Sequence, residues 1–164
     1  MNAIVAVYSD WGIGFEGKQP IVIAEDRRFF SEMTGGGVII AGRKTFEEFS
    51  GRLSNRKNII LTQDKDFAAE GVIVAHSVDD VLAEITGDTA DRIFILGGAE
   101  IFRLFMPMCT TAYVTKIEAT PESDAFFPNL DELPDWSLTQ RGAVNESNGV
   151  RYSFNIYRYK HVAK

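Results

Sequence analysis

The chain has almost none of the side chains that metal-dependent and nucleophilic hydrolysis draw on. It carries one cysteine, Cys109, and two histidines, His76 and His161. A single thiol cannot close an internal disulfide, so the expected compartment is a reducing one, the cytoplasm. Neither histidine has neighbours at metal-ligand spacing, so no metal site is expected, and triad-type hydrolysis loses its usual parts. Basic runs are also missing: 17 Lys and Arg stand against 23 Asp and Glu, a net charge of −6. A surface of that sign repels phosphate backbones, so no nucleic-acid partner is expected. Residues 3–8 are apolar but too short to span a bilayer, and no basic segment precedes them. No membrane association is expected, and no repeat or low-complexity linker interrupts the chain.

What is present is the composition of an ordinary globular protein, 45% apolar and 24% charged. The 164 residues are read as one domain, 1–164, long enough to bury a substantial core. Nothing demands a partner protein, and a monomer is expected.

The most informative stretch runs from Arg92 to Phe102. Ile93-Phe94-Ile95-Leu96 is a continuous apolar run that reads as a strand buried on both faces. Gly97 and Gly98 follow, and then Ile101, Phe102, Phe105 and Met108 recur at helical spacing until Pro107 disrupts the pattern. A strand that feeds a helix start through bare backbone lets another molecule approach closely. It also aims unpaired N–H groups at that molecule, which suits an anion such as a pyrophosphate. The same glycines also fit a plain strand-to-helix turn.

Elsewhere strand-like and helical runs alternate through the first two thirds. Strands are expected over 3–8, 38–41, 58–62, 72–75 and 111–119. Helices are expected over 25–33, from about Thr45, from a Ser77/Asp80 capping box through Ile85, and from Ala99. Residues 9–20, with Gly12, Gly14 and Gly17, read as a mobile loop. Trp136–Arg141 and Val150–Tyr159 are expected to pair as an antiparallel hairpin, with Ser147-Asn148-Gly149 supplying the turn. The fold class is therefore α/β: a mixed, mostly parallel central sheet flanked by helices, with a C-terminal antiparallel hairpin. Ligands in such sheets sit beyond the carboxyl ends of the strands.

Gly12-Ile13-Gly14-Phe15-Glu16-Gly17 matches the dinucleotide fingerprint G-x-G-x-x-G, yet the fingerprint needs a helix to open at those glycines. Lys18-Gln19-Pro20 follows instead, so the segment is better read as a glycine loop over a cleft, either a lid or an inert surface loop.

Asp26 is the unusual carboxylate. Phe29, Phe30 and Met33 stand three, four and seven positions beyond it, which puts Asp26 on the apolar side of its helix. First-turn acids ordinarily complement the helix dipole, a part that Glu25 can play. A carboxylate on an apolar face needs a partner, and a ligand with paired N–H donors would serve. Gly42-Arg43-Lys44-Thr45 at the next helix start is electropositive and suits phosphate, although Thr45 with Glu48 also reads as a helix-capping box. Thr62 and Gln63 would lie at the same sheet edge. Arg56 is a candidate for gripping a carboxylate in fork geometry, or else a solvated loop arginine.

Taken together, these segments resemble dihydrofolate reductase nearly end to end. The resemblance rests on Ala3–Ala6 with Ile13-Gly14, on Glu25-Asp26 followed by Phe29-Phe30, and on Val38-Ile39-Ile40-Ala41-Gly42-Arg43-Lys44-Thr45-Phe46-Glu47. Arg56–Leu61, Gly97–Phe102, and Tyr113–Ile117 with Asp124, Phe126, Phe127 and Pro128 complete it. It implies NADPH as cofactor and 7,8-dihydrofolate as substrate, reduced to tetrahydrofolate by hydride transfer while Asp26, the catalytic acid, assists protonation. It implies cofactor contacts at Ala6, Ile13, Gly14, Gly42, Arg43, Lys44, Thr45, Leu61, Thr62, Gln63, Leu96, Gly97, Gly98, Ala99, Glu100, Ile101 and Phe102. The 2′-phosphate would lie near Arg43, Thr62 and Gln63. Substrate contacts are implied at Ile4, Val5, Ala6, Arg27, Phe30, Phe49, Leu53, Arg56 and Thr115, with Arg56 on the glutamate carboxylate. A cis peptide between Gly97 and Gly98 is also implied.

The match departs where the family's Pro-Trp-x-Leu-Pro-x-Asp becomes Pro20-Ile21-Val22-Ile23-Ala24-Glu25-Asp26. The indole N–H is absent at Ile21, Gln19 replaces an apolar loop-tip residue, and Arg27 stands at a usually apolar position. Arg27 either reaches the substrate's acidic tail or points to water. Phe102 lacks a hydroxyl that some members carry there. Two other readings remain open on the residues: a riboflavin-pathway pyrimidine reductase of the same architecture, which would not need Asp26, and a non-catalytic pterin- or nucleotide-binding module.

Overall fold

The computed structural model describes residues 1–49 and 51–160. Among them run β1 (Asn2–Val7), β2 (Gly12–Gly14), α1 (Ala24–Thr34), β3 (Val38–Gly42), α2 (Arg43–Glu48), β4 (Lys57–Leu61), β5 (Val72–Ala75) and α3 (Val78–Glu84). Then come β6 (Ile93–Gly97), α4 (Ala99–Phe105), β7 (Thr111–Ile117), β8 (Ala125–Phe126), β9 (Trp136–Arg141), β10 (Asn145–Ser147) and β11 (Val150–Tyr159). The main sheet has the order β10-β11-β7-β1-β6-β3-β4-β5, with β9 also paired to β11. Ladders from β7 through β1, β6, β3 and β4 to β5 are parallel, and those of β11 with β7, β9 and β10 are antiparallel.

The continuous apolar strands are buried because helices cover both faces of the sheet. Ile4, Ile39 and Phe94 point to one side, where Phe29, Phe30 and Met33 of α1 pack on them. Ala41 and Ile60 continue that side under Phe46 of α2. Ala3, Val7, Ile40, Ile59 and Ile95 point the other way, onto Val81 of α3 and Ile101, Phe102 and Phe105 of α4. Phe102 and Phe105 are fully buried there. Alternation of side chains along each strand sorts the two sets.

Several expected boundaries shift by one or two residues, and three differences are structural. The second helix begins at Arg43, not near Thr45, because the extended Gly42 hands strand directly to helix as its N-cap. Thr45 therefore lies inside the first turn and does not cap it. β9 and β11 pair antiparallel as expected, with a register shift between Ile156 and Tyr157 inside their ladder, but the Ser147-Asn148-Gly149 turn joins β11 to a separate short strand, β10, and not to β9. The extra residue of the shift is Thr139 of β9, and β11 itself alternates regularly there, with Asn155 and Tyr157 buried and Ile156 only partly so. The loop over residues 9–20 contains β2, which pairs with β8. The Ser77 cap is as expected, its Oγ accepting from the Asp80 amide at 3.0 Å, and the Asp80 carboxylate in turn accepts from the His76 amide. His161 lies outside the described residues.

Gly142, between β9 and β10, has no room for a side chain. A Cβ there would meet the backbone oxygen of Phe154, which is held in β11 and cannot yield. Gly142→Ala is expected to lower unfolding free energy by about 1–3 kcal/mol, read from urea denaturation. An unchanged midpoint would show that the β9–β10 connection is not packed against β11.

Candidate functional site

The sheet opens between two of its central strands. β1 and β6 pair only at Asn2↔Phe94 and Ala3↔Ile95, yet β1 continues to Val7 and β6 to Gly97. Beyond Ala3 and Ile95 the strands part, and this happens at their carboxyl ends, where open α/β sheets bind ligands. Ala6 and Gly97 stand on the two lips at nearly equal height, three and two residues past the last pair.

On the β1 lip, Ala6 pairs in register with Thr115 of β7. The Thr115 hydroxyl donates to Asp26 Oδ1 at 2.6 Å, tying the first turn of α1 to the sheet across the cleft's end. Asp26 is half-buried. Desolvation raises its pKa above the ordinary carboxylate range, opposed by the Thr115 hydrogen bond and the nearby Arg27 guanidinium. Ile4 and Ala6 are buried on the same side of β1, facing α1. Val5 differs: it turns to the opposite face and packs with the larger core, so a contact from Val5 comes through its backbone.

Phe30 stacks on Phe49 with ring centres 5.8 Å apart, and Leu53 packs in the same cluster. Arg56 lies beside them and is held from three sides. Its Nε donates to Thr34 Oγ1, Nη1 to the Ser54 carbonyl, and Nη2 to the Ser31 carbonyl and hydroxyl, all within 3.0 Å. It is a fixed guanidinium, not a solvated loop arginine. Arg27 is exposed and makes no ion pair among the described residues.

On the β6 lip, Gly97 and Gly98 are joined by a cis peptide bond, and Gly97 has φ +109°, which a side chain disfavours. Two helix starts converge here. The N-caps of α2 and α4 are Gly42 and Gly98, and neither helix has a side-chain cap on its first amides. A Cβ on Gly98 would meet only Thr45 Oγ1, at 3.9 Å, so open space separates these bare backbones. Uncapped amides around an open glycine cradle suit a pyrophosphate. Leu96 and Ala99 border the cradle as half-buried residues, and Glu100 is exposed and faces Arg103 at 3.7 Å. Leu61, Ile101 and Phe102 are core residues. The Phe102 ring packs beneath Gly97 and edge-on to Phe127, and Ile101 lies under Gly42. Their side chains form the floor of the cradle, because the helix carries its apolar face inward.

Arg43 lies at the outer end of the cradle, with Lys44 exposed beside it and Thr62 and Gln63 following β4. The Arg43 guanidinium binds Glu47 at 2.8 Å and Asp64 at 2.6 Å and lies over the Phe67 ring. His76 Nδ1 is 2.8 Å from the Thr62 carbonyl oxygen. Asp64 and His76 were not singled out from the sequence. The Ser77 cap puts His76 at the carboxyl end of β5, the edge already assigned to Thr62, and that was the available signal.

The glycine segment runs from the end of β1 to α2 and is pinned along its length. No helix follows its glycines, which excludes the dinucleotide fingerprint reading. Asp124 donates its amide to the Gly14 carbonyl and accepts from the Glu16 amide at 3.0 Å. Tyr8 bridges the absent indole's neighbourhood: its hydroxyl accepts from the Ile21 amide at 2.9 Å and donates to the Ile21 carbonyl at 3.0 Å. Ile13 of β2 packs on the core. The tip crosses to α2, where the Gln19 amide donates to Glu48 Oε1 at 3.2 Å. Glu48→Ala is expected to speed amide hydrogen exchange at Gln19 severalfold while leaving Ile21 protected; equal exchange in both proteins would show that Glu48 does not hold the tip.

Burial of an ionised carboxylate at Asp26 also sets a sign for stability. A folded pKa above the unfolded value means that the native chain binds the proton more tightly, so stability falls as pH rises between the two values. Asp26→Asn should therefore raise the melting temperature at neutral pH. The gain should shrink as pH falls through the raised pKa and vanish below about pH 4. A gain independent of pH between 4 and 8 would contradict this.

The comparisons with known proteins agree with this geometry. A family model described as dihydrofolate reductase matches residues 1–160. The chain is 36% identical to the dihydrofolate reductase of Bacillus subtilis (strain 168) over 166 residues, covering 100% of this chain and 97% of that one. It is 35% identical to that of Staphylococcus haemolyticus, covering 96% and 94%. The solved structure of dihydrofolate reductase from Enterococcus faecalis, complexed with NADP(H) and RAB-propyl, superposes with a TM-score of 0.82 at 35% identity, over 96% of this chain and 95% of that one. With its split sheet, its half-buried Asp26 and these relatives along its full length, the chain belongs to the dihydrofolate reductase family.

Proposed function

We propose that this chain, acting as one unit over residues 1–164, reduces 7,8-dihydrofolate to 5,6,7,8-tetrahydrofolate with NADPH. The carrying observation is Asp26, a half-buried carboxylate bonded to Thr115 at the end of an open cleft. Asp26 accepts the paired N–H donors of the pterin, the ligand that an isolated acid on an apolar face needs. Ile4, Ala6 and Phe30 form the apolar walls for the ring, Val5 contributes its backbone, and Phe49 and Leu53 flank the benzoyl segment. Arg56 offers the glutamate carboxylate its positive charge and the one Nη1 N–H that its four protein bonds leave, and Arg27 adds a second cation on the exposed side.

The glycine cradle suits the cofactor because its amides lack side-chain caps and Gly98 faces open space. Gly42, Thr45, Gly97, Gly98 and Ala99 surround the pyrophosphate, with Leu96 and Glu100 at its edges and Leu61, Ile101 and Phe102 as its floor. Arg43, Lys44, Thr62 and Gln63 meet the 2′-phosphate, and Ala6, Ile13 and Gly14 border the nicotinamide. When bound, NADPH would supply the hydride, which adds to carbon 6 of the dihydropterin's N5=C6 double bond while nitrogen 5 takes the proton. The protein aligns the two rings, excludes water with the pinned segment over residues 12–21, and keeps Asp26 at a raised pKa from which it assists protonation at ring nitrogen 5. A pyrimidine reductase would leave Asp26 without a task. The chain works as a monomer in the cytoplasm, without nucleic acid. The single buried cysteine supports the reducing compartment, and the net charge of −6 supports the lack of a nucleic-acid partner.

NADPH oxidation, followed by absorbance, should require dihydrofolate and fall roughly 10²–10⁴-fold in Asp26→Asn. Cofactor consumption that persists undiminished in that variant would refute the assignment. Arg43→Ala should collapse the preference for NADPH over NADH, and an unchanged ratio of dissociation constants would remove Arg43 from the phosphate site.

A further inference from the structure

Arg43 does not wait with its donors free. A guanidinium has two edges that can grip an oxyanion in fork geometry, one formed by Nε and Nη2 and one by Nη1 and Nη2. In this chain each edge has lost one donor to a carboxylate: Nε binds Glu47 Oε1 at 2.8 Å, and Nη1 binds Asp64 Oδ2 at 2.6 Å. The Phe67 ring, 4.9 Å from the guanidinium carbon, flanks one of its flat faces. A dianionic phosphate that grips either edge as a fork competes with a carboxylate already bound to one of that edge's nitrogens.

We infer that Asp64 is an internal stand-in for the cofactor's 2′-phosphate, displaced from Arg43 when NADPH binds, and so a residue that limits the preference for NADPH. This rests on the reading that the 2′-phosphate meets Arg43. The two carboxylates are not equivalent. Glu47 is on the same helix as Arg43, four residues on, and moves with it. Asp64 belongs to the loop after β4, directly beyond Thr62 and Gln63, and approaches Arg43 from the side on which those residues lie.

Asp64 is also held independently of Arg43. Its neighbour His76 is anchored through Nδ1 to the Thr62 carbonyl, at the base of the same loop. The loop keeps its shape without the Arg43 bond, because Asp64 Oδ1 separately accepts from the Asp66 amide and the Asp64 amide donates to Thr62 Oγ1. The Asp64 carboxylate can leave Nη1 while those contacts persist. Glu47 has no such second set of contacts on a loop.

The test is Asp64→Asn, which preserves the Oδ1 acceptor for Asp66 and removes the charge. Dissociation constants for NADPH and for NADH are measured without substrate, by quenching of intrinsic tryptophan fluorescence, in parent, Asp64→Asn, Glu47→Gln and Arg43→Ala proteins. Asp64→Asn is expected to bind NADPH about three- to tenfold more tightly, with NADH changed less than about twofold. Glu47→Gln is expected to change the ratio less than Asp64→Asn does. An unchanged or lowered NADPH preference in Asp64→Asn, or an equal or larger gain in Glu47→Gln, overturns the inference. If Arg43→Ala abolishes the preference while Asp64→Asn leaves it unaltered, only the role of Asp64 falls. If Arg43→Ala retains the preference, the phosphate does not sit at Arg43, and the underlying reading falls with the inference.

Discussion

The bond from Thr115 to Asp26 is the constraint from which the rest of this molecule follows. It joins the first turn of a helix to a strand in the middle of the sheet and fixes a carboxylate where water is scarce. Neither partner could do this alone. Without the hydroxyl the carboxylate would be buried with no donor, and without the helix turn the hydroxyl would face an empty crevice. The parting of β1 from β6 makes the crevice, and the register Ala6↔Thr115 places the hydroxyl at its end.

The two halves of the site obey different physics. Around Asp26 the protein works by desolvation: apolar walls, a single acid and one neutral donor. Around Gly42 and Gly98 it works by exposure of backbone: uncapped amides and no side chains in the way. A fixed guanidinium closes the first half at Arg56, and a paired one closes the second at Arg43. Chemistry delivered by a cofactor asks the protein for alignment and a proton, and the residue inventory matches that demand. One acid suffices, with no histidine or thiol relay. Cys109 fits the same picture, since burial pushes its thiol up to about 11 and leaves it inert at neutral pH.

Much of this was legible before the fold was seen, for identifiable reasons. The apolar run before Gly97 and the periodicity beyond Asp26 each bury enough surface to override other preferences, so strand and helix were both recoverable. Asp26 was recoverable because its spacing to Phe29, Phe30 and Met33 contradicts its polarity. What escaped was set by pairing at long range. The tandem of β9 and β10 on one edge of β11 is set by pairing with β11, which no local signal encodes. The side chains of Leu61, Ile101 and Phe102 turned out to be floor, not lining, because a motif names positions while helix and strand faces decide which atoms a ligand meets. Asp64 escaped for a related reason, since a loop acid carries no pattern until β4 and β5 bring their ends together, and His76 had only the Ser77 cap to place it there.

The resemblance to the family and the physical reading meet at the proton. The most direct test is the titration of the Asp26 carboxyl carbon by 13C NMR in the free protein, alongside Thr115→Val. The account predicts a pKa above the ordinary value of about 3.9 in the parent and a further rise in Thr115→Val, where burial persists and the stabilising hydroxyl is gone. A parent value at or below the ordinary one, or no change in Thr115→Val, would contradict it.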